Sequence, residues 1–583
     1  MAEGRSLPAA ADLPRFQREF FQGNEPISVI GQGSIGGKAS GLAFMREVLT
    51  EEFIAGKFRD IRVEIPRMVV IATDVFDEFI HQNKLLEMAL AEESDSRIAN
   101  AFQKAELPYE IVGDLRALVE SVHQPLAVRS SSLLEDALYE PFAGVYATKM
   151  IPNNQPDVDT RFRKLVEAIK LVWASVYFQD AKAYVSATEK STADEKMAVI
   201  IQEVVGLPHG ERFYPNLSGV ARSYNFYPVG RAKPEDGVVD LALGLGKTIV
   251  DGGRCWTYSP PYPHLNPPVT TSELLKQGQT EFWAVNMGKP PEYDPVAETE
   301  YLVEGDLNDA HMDDVLKQVA STYQAANDRI IMGIGFDGPR LLDFAPIIRM
   351  DDILLNDLIR KLLEICEKRF EQEVEIELAM TIGPGRGGEV RLGFLQVRPM
   401  VVSHEVVEVS EGALHGEGVI LGSDRIMGNG VVEGLEDIVY VLPEGYEAKY
   451  NPTIAEELSR INRSLMAEGR GYLLIGFGRW GSSDPWLGIP VNWGQINGAK
   501  VIVEATLPEM NVELSQGSHF FHNICSFRVG YFCVRHDGPY AINWERLAGE
   551  KLVQQTEHVR HVRASKPVTV RLDGRSGRGV VVP

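Results

Sequence analysis

Cysteine is scarce in this sequence: four residues in 583, Cys255, Cys366, Cys525 and Cys533, with no C-x-x-C pair among them. So low a count argues against a disulfide framework and against a thiolate zinc site, and the four are expected as buried thiols. Positive charge is also in deficit. With a formal net charge of −24, the chain lacks the basic field that a nucleic-acid backbone or an anionic membrane requires, and an anionic substrate would need a local cluster of Lys and Arg. No apolar run approaches the roughly 20 residues that span a bilayer. The opening MAEGRSLPAAADL has no basic stretch leading into an apolar one, unlike a secretory signal. The expectation is a cytoplasmic protein with neither nucleic acid nor membrane as partner. Heptads, low-complexity tracts and repeats of solenoid period are missing as well.

What is present is an ordinary globular composition, 44% apolar and 24% charged, in a chain long enough for three or four compact units. RVEIPRMVVIATDVFDEFI reads as one or two strands and a helix from Thr73. LAVRSS reads as a short strand, RFRKLVEAIKLVWASVYFQDAKAYV as one long amphipathic helix, and MAVIIQEVV as a strand buried on both faces. SGVARSYNFYP and GVVDLALGLG continue as strands. DVLKQVASTYQAANDRI and DDILLNDLIRKLLEICEKRFEQ read as helices, and EVEIELAMTI, GPGRGG and VRLGFLQVRPM as a β-hairpin. An acidic, weakly patterned linker follows Met400, and a strand- and glycine-rich segment completes the chain.

Two glycine loops invite a phosphate-binding reading. In GQGSIGGKAS the G-x-x-x-x-G-K-[ST] spacing fails, because residue 32 is Gln and residue 39 is Ala. LALGLGKTIV fails at Leu241 although Gly246, Lys247 and Thr248 are right. Each loop alone fits a tight turn at a helix end equally well. The combination points further. Lys38 after two glycines, Arg129 at a strand end and Arg398 supply cations for a polyphosphate, while Glu377 and Gln396 supply oxygen ligands of the kind Mg²⁺ prefers. From Val128 to Tyr146 the stretch VRSSSLLEDALYEPFAGVY is either a cover for a nucleotide or a polar loop closed by its own Ser and Asp hydrogen bonds.

GGKASGLAFM, VRSSSLLEDALYEPFAGVY, IIQEVVG, SGVARSYNF, LGLGKTIVDGG, EIELA and FLQVRPM, in that order, resemble the successive signatures of the ATP-binding domain of the phosphoenolpyruvate synthase and pyruvate phosphate dikinase family. The resemblance covers about residues 25 to 400. It implies an α/β (α+β) fold with a two-lobed, ATP-grasp-like nucleotide-binding domain, here residues 1–215 and 216–400, followed by a linker at 401–415 and a smaller strand-rich α/β domain at 416–583. It also implies ATP and Mg²⁺ as cofactors. Carried over by position, Lys38, Arg129 and Arg398 resemble the phosphate contacts, with Arg129 catalytic, and Ser130, Ser131, Glu135 and Asp136 the covering loop. Gln202 and Glu203 resemble the adenine-binding strand, and Glu377 and Gln396 the metal ligands. Lys247 stands where the family commonly has Glu, which would add a phosphate contact or remove a group that assists the metal.

Family members that complete the reaction carry a T-C-H-A phosphohistidine motif on a swivelling domain, and the synthases and dikinases add a barrel. Neither is readable in this chain, and about 170 residues after the linker leave no room for a barrel of roughly 250. GEGVILGSDRIMGNGVVEGLEDIVYVLPEGY resembles the opening of the swivelling domain. In SQGSHFFHNICSF, His519 and His522 stand at a helix start where they would either accept a phosphoryl group or pack beside Phe520 and Phe521. Trp480, Trp486 and Trp493, with Arg479 and Asp484, would form either a pocket wall or core. The leading expectation is an ATP-dependent phosphotransferase of the dikinase type that phosphorylates a histidine or an acceptor, with a partner protein among the candidate acceptors. The alternatives are a nucleotide-binding regulatory protein and a non-catalytic component of a split system.

Overall fold

Short β-branched runs alternating with amphipathic helices give a mixed α/β chain. The computed structural model describes residues 9–583 except 20–25, 54–57, 59, 92, 133–143, 187–190, 266–269, 351, 384–387, 401, 403–406, 417, 483, 509, 511–528 and 575. Two compact units divide it: one comprises residues 1–222, 238–249 and 254–399, the other 223–237, 250–253 and 400–583.

The first unit contains two main sheets. In the first the strand order is Ile27–Ile30, Met68–Ile71, Met197–Glu203, Leu126–Ser132, Thr148–Ile151. Met197–Glu203 is central and buried up to its last residue, as its unbroken apolar run requires. An aromatic cluster packs beside this sheet: Phe76 and Phe79 of the helix Thr73–Gln82 meet Trp173 of the helix Val158–Ser175, with Phe102 and Tyr177 alongside, at centroid separations of 4.7 to 6.4 Å. The second sheet runs Trp256–Tyr258, Val238–Ala242, Leu217–Arg222, Val374–Ile382, Val390–Pro399, Ile61–Glu64. The helix Gly36–Phe53 touches both sheets, at Leu126–Ser132 and at Val390–Pro399.

The expected hairpin forms, antiparallel from Val374↔Pro399 to Ile382↔Val390. Its register shifts after Glu377, where Leu395 is the extra residue of a bulge. Two smaller sheets complete the unit. One joins Leu302–Asp306, Glu281–Asn286, Arg212–Tyr214 and Leu207–His209, and the other Arg329–Met332, Ala320–Gln324 and Arg340–Leu342.

Two helix expectations are corrected. In DVLKQVASTYQAANDRI only Leu316–Val319 is helical, and Ala320–Gln324 is a strand paired on both sides. Hydroxyl chemistry decides this: Ser321 Oγ donates to Asp343 (2.8 Å) and Thr322 Oγ1 to the Gly333 carbonyl (2.7 Å), contacts on successive residues that point to opposite faces. The single long helix is two, Val158–Ser175 and Gln179–Ser186. At the break Ser175 Oγ donates to the Val172 carbonyl and accepts from the Ala147 amide, diverting side-chain bonding into the strand region.

The second unit is built on a nine-stranded sheet. Its centre is parallel, Gly430–Val441, Tyr472–Phe477, Ala499–Ala505 and Gly530–Val534 in that order, with the helix Asn451–Ala467 between the first two in sequence. Trp480 and Trp493 are buried and Trp486 is exposed. Trp480 Nε1 donates to the Val503 carbonyl at 3.1 Å, so two of the three tryptophans serve the core. Cys366 and Cys533 are buried, which raises their thiol pKa values, and Cys255 is half-buried; Cys525 lies outside the described residues.

Candidate functional site

The first glycine loop is shaped by close approach. Gly36 opens its helix at φ +74°, and a Cβ there would lie 1.8 Å from the Ser131 carbonyl oxygen, so only glycine lets the helix start against the strand Leu126–Ser132. Ser131 Oγ secures the junction, donating to the Ile35 carbonyl (2.8 Å) and accepting from the Ala39 amide (3.1 Å). One turn in, Lys38 Nζ donates to Ser130 Oγ at 3.2 Å. The amides of Gln32 and Gly33 donate to the Asp74 carboxylate (2.8 and 2.9 Å) and that of Ser34 to Thr73 Oγ1 (2.9 Å). Asp74 was not singled out by sequence reading; its signal is a carboxylate in the first turn of a helix that follows a glycine loop in space rather than in the chain.

Arg129 is the hub of the site. Its Nη1 donates to the Leu395 carbonyl (2.9 Å) and to Gln202 Oε1 (3.4 Å); its Nη2 donates to Gln396 Oε1 (2.7 Å) and Glu377 Oε2 (3.4 Å). The bulge turns the Leu395 carbonyl toward this guanidinium. Beyond it runs a chain of alternating charges on one face of the second sheet. Arg398 pairs with Glu375, with Nε at 2.7 Å, and its Nη2 is 4.0 Å from Glu377. Glu375 also accepts from Arg222 Nε (2.7 Å), and Arg222 Nη1 donates to Asp240 (2.9 Å). Arg222, Glu375 and Arg398 are cross-strand neighbours, as are Glu377 and Gln396, so the strand period sets them side by side. Burial disfavours the Arg222 cation, but Glu375 and Asp240 outweigh it and hold its pKa above the ordinary value.

Lys247 opens the short helix Lys247–Val250, with Nζ 5.7 Å from the Trp283 ring centre, within cation–π range. The turn before it sits on Ser218, which is on the same sheet face as Val220, the cross-strand neighbour of Glu377. Gln202 and Glu203, adjacent on a strand, point opposite ways: Gln202 meets Arg129, and Glu203 pairs with Arg67. The structure thus brings together Lys38 with Ser130, and Arg129 with Gln202, Glu377, Gln396 and, through Glu377, Arg398. Glu135, Asp136, His519 and His522 lie outside the described residues. Glu375, Arg222 and Asp240 were missed in the sequence; Glu375 carries a legible signal, standing two residues before Glu377 on a strand and therefore on the same face. Among the described residues no helix is long and apolar enough to cross a membrane.

A relative in Bacillus subtilis (strain 168), described as an uncharacterized phosphotransferase YvkC, is 28% identical over 188 residues, 32% of this chain and 20% of its own length. A phosphoenolpyruvate synthase of Aeropyrum pernix is 25% identical over 239 residues, 37% of this chain and 25% of its own length. The matched regions therefore span about a fifth and a quarter of these curated relatives. The family model described as pyruvate phosphate dikinase, AMP/ATP-binding domain, matches residues 32–413, about two thirds of the sequence, and the chain belongs to that family.

Proposed function

We propose that the chain is an ATP-dependent phosphotransferase of the dikinase type, using the face that carries Arg129, Glu377, Gln396 and Arg398, with Lys38 beside it. The observation that carries this reading is the convergence of a carboxylate and an amide oxygen on one guanidinium nitrogen, Arg129 Nη2, at 3.4 and 2.7 Å. A site already organised around one cation fits a second: both donors are hard oxygens, the type Mg²⁺ takes alongside substrate phosphates. Glu377 and Gln396 would hold the metal, which when bound would neutralise phosphate charge. Arg129 would exchange its internal acceptors for phosphate oxygens, and Lys38 would add a second cation from a helix N-terminus. Arg398, fixed by Glu375 and 4.0 Å from Glu377, would add positive charge beside the same place. Family membership supports ATP as the nucleotide, and the printed names of the relatives support phosphoryl transfer.

Acceptor candidates are His519 and His522, or a separate molecule. The reading in which the chain binds nucleotide for regulation and transfers nothing is favoured by Lys247, a cation where the family commonly has a carboxylate. One incubation separates the two. With Mg²⁺ and ATP labelled at the β-phosphate, the dikinase reading expects AMP and acid-labile label on the protein, lost by at least about a hundredfold in Glu377→Gln while ATP binding survives. Tight ATP binding with neither AMP nor label would sink the phosphotransferase reading and leave the regulatory one.

A further inference from the structure

Two strand-to-helix junctions stand side by side in the first sheet. Ile27–Ile30 pairs in parallel with Met68–Ile71, Ile30 opposite Ile71. The first strand leads through residues 31–35 into the helix Gly36–Phe53, and the second through Ala72 into the helix Thr73–Gln82. The loop of the first junction is closed onto the start of the second helix. The amides of Gln32 and Gly33 donate to the two oxygens of the Asp74 carboxylate. Ser34 and Thr73 are bonded twice, the Ser34 amide donating to Thr73 Oγ1 and the Thr73 amide to the Ser34 carbonyl, each at 2.9 Å. The approach leaves no room for side chains on the loop: a Cβ on Gly31 would lie 2.5 Å from Asp74 Oδ1, and one on Gly33 2.6 Å from the Asp74 backbone nitrogen.

Successive amides of a glycine loop that converge on an anion have the form of a phosphate nest, but in this loop the anion is the chain's own carboxylate. The Gly36 amide donates to Ser34 Oγ (3.1 Å) and the Ala39 amide to Ser131 Oγ, so the amides at 32, 33, 34, 36 and 39 all have internal acceptors. What the segment offers a phosphate is therefore chiefly the Lys38 side chain. Its place is fixed from two ends. On one, Ser131 holds Ile35 and Ala39, and the neighbouring Ser130 accepts from Lys38. On the other, Asp74 holds Gln32 and Gly33. Asp74 stands in the first turn of its own helix, where negative charge is favoured, and a charged acceptor binds amides more strongly than a neutral one.

We propose that Asp74 is a positioning residue for the nucleotide: its carboxylate fills the nest of the glycine loop and so sets the helix start from which Lys38 reaches a phosphate. The proposal rests on the reading of Lys38 as a phosphate contact. Its test is a double-mutant cycle on the affinity of the full chain for α,β-methylene-ATP with Mg²⁺, an analogue that cannot release AMP, measured by calorimetric titration. Lys38→Met should weaken binding at least about tenfold. Asp74→Ala should weaken it about fivefold in the parent and less than about twofold once Lys38 is replaced, the non-additivity of two residues that act as one. A residue that merely supports the fold would weaken both backgrounds alike. Asp74→Asn, which keeps the shape and one acceptor, should fall between parent and Asp74→Ala, and carries the same cycle should the alanine variant unfold. Equal weakening by the Asp74 variants in both backgrounds, or none in the parent, would overturn the proposal and leave the nucleotide reading standing. Failure of the parent to bind the analogue, or undiminished binding in Lys38→Met, would instead remove Lys38 as a phosphate contact, and the proposal with it.

Discussion

Glu375 holds two guanidiniums at once, those of Arg222 and Arg398, and is 3% exposed. Glu375→Gln removes a buried anion between two buried cations, so it should cost about 3–5 kcal/mol of stability. It should also release Arg398 and cut ATP-dependent turnover; urea denaturation read beside the AMP assay checks both. In the second unit Asp437 is buried, which alone would raise its pKa, but hydrogen bonds with His561 (2.8 Å) and Arg470 (2.6 Å) hold it below the usual carboxylate range. A depressed folded-state pKa contributes stability that is present above the unfolded value, near 3.9, and is lost as pH falls through the folded value. Asp437→Asn should therefore be markedly less stable than the parent at pH 7, with the gap closing below about pH 4; urea midpoints at pH 7, 4 and 3 measure it. Arg129, Glu377 and Gln396 were legible in the sequence because each stands inside a motif. Asp74, Arg222 and Asp240 were not, because their partners lie far along the chain and only strand pairing and loop docking bring them near.

Strands were the more legible elements and helix ends the less. The hairpin at Val374–Pro399 and the strand Met197–Glu203 follow from alternation and from unbroken β-branched runs. Residues 314–330 misled because Leu316, Val319 and Ala320 have helical spacing, while Ser321 and Thr322 find better hydrogen bonds in a sheet. The break at residues 176–178 was hidden by apolar residues that continue the helical pattern across it. At the start of the helix Gly36–Phe53 one residue governs the element. Gly36→Ala meets both a left-handed φ of +74° and the Ser131 carbonyl 1.8 Å away. It should lose at least about 2 kcal/mol and, by displacing Lys38 from Ser130, weaken ATP binding. Thermal melting with and without ATP separates the two effects, since a purely structural role would lower both melting points equally.

At the scale of the molecule, the deficit of positive charge makes its local concentrations informative. Arginines gather at the Arg129 face, where strand register sets Arg222 and Arg398 on either side of Glu375. Membership of the family was legible because its motifs keep their order along the chain. The chain passes between the two units five times, at residues 222, 237, 249, 253 and 399. Tyr227, which belongs to the second unit although its number places it deep in the first half of the sequence, has its hydroxyl 4.0 Å from Cys533 Sγ. A gene severed at codon 400 would thus yield two polypeptides unequal in completeness. The longer would carry a whole unit plus two stray pieces of the other, and the shorter would be missing those pieces, so that the shorter is made whole only when the two are produced together.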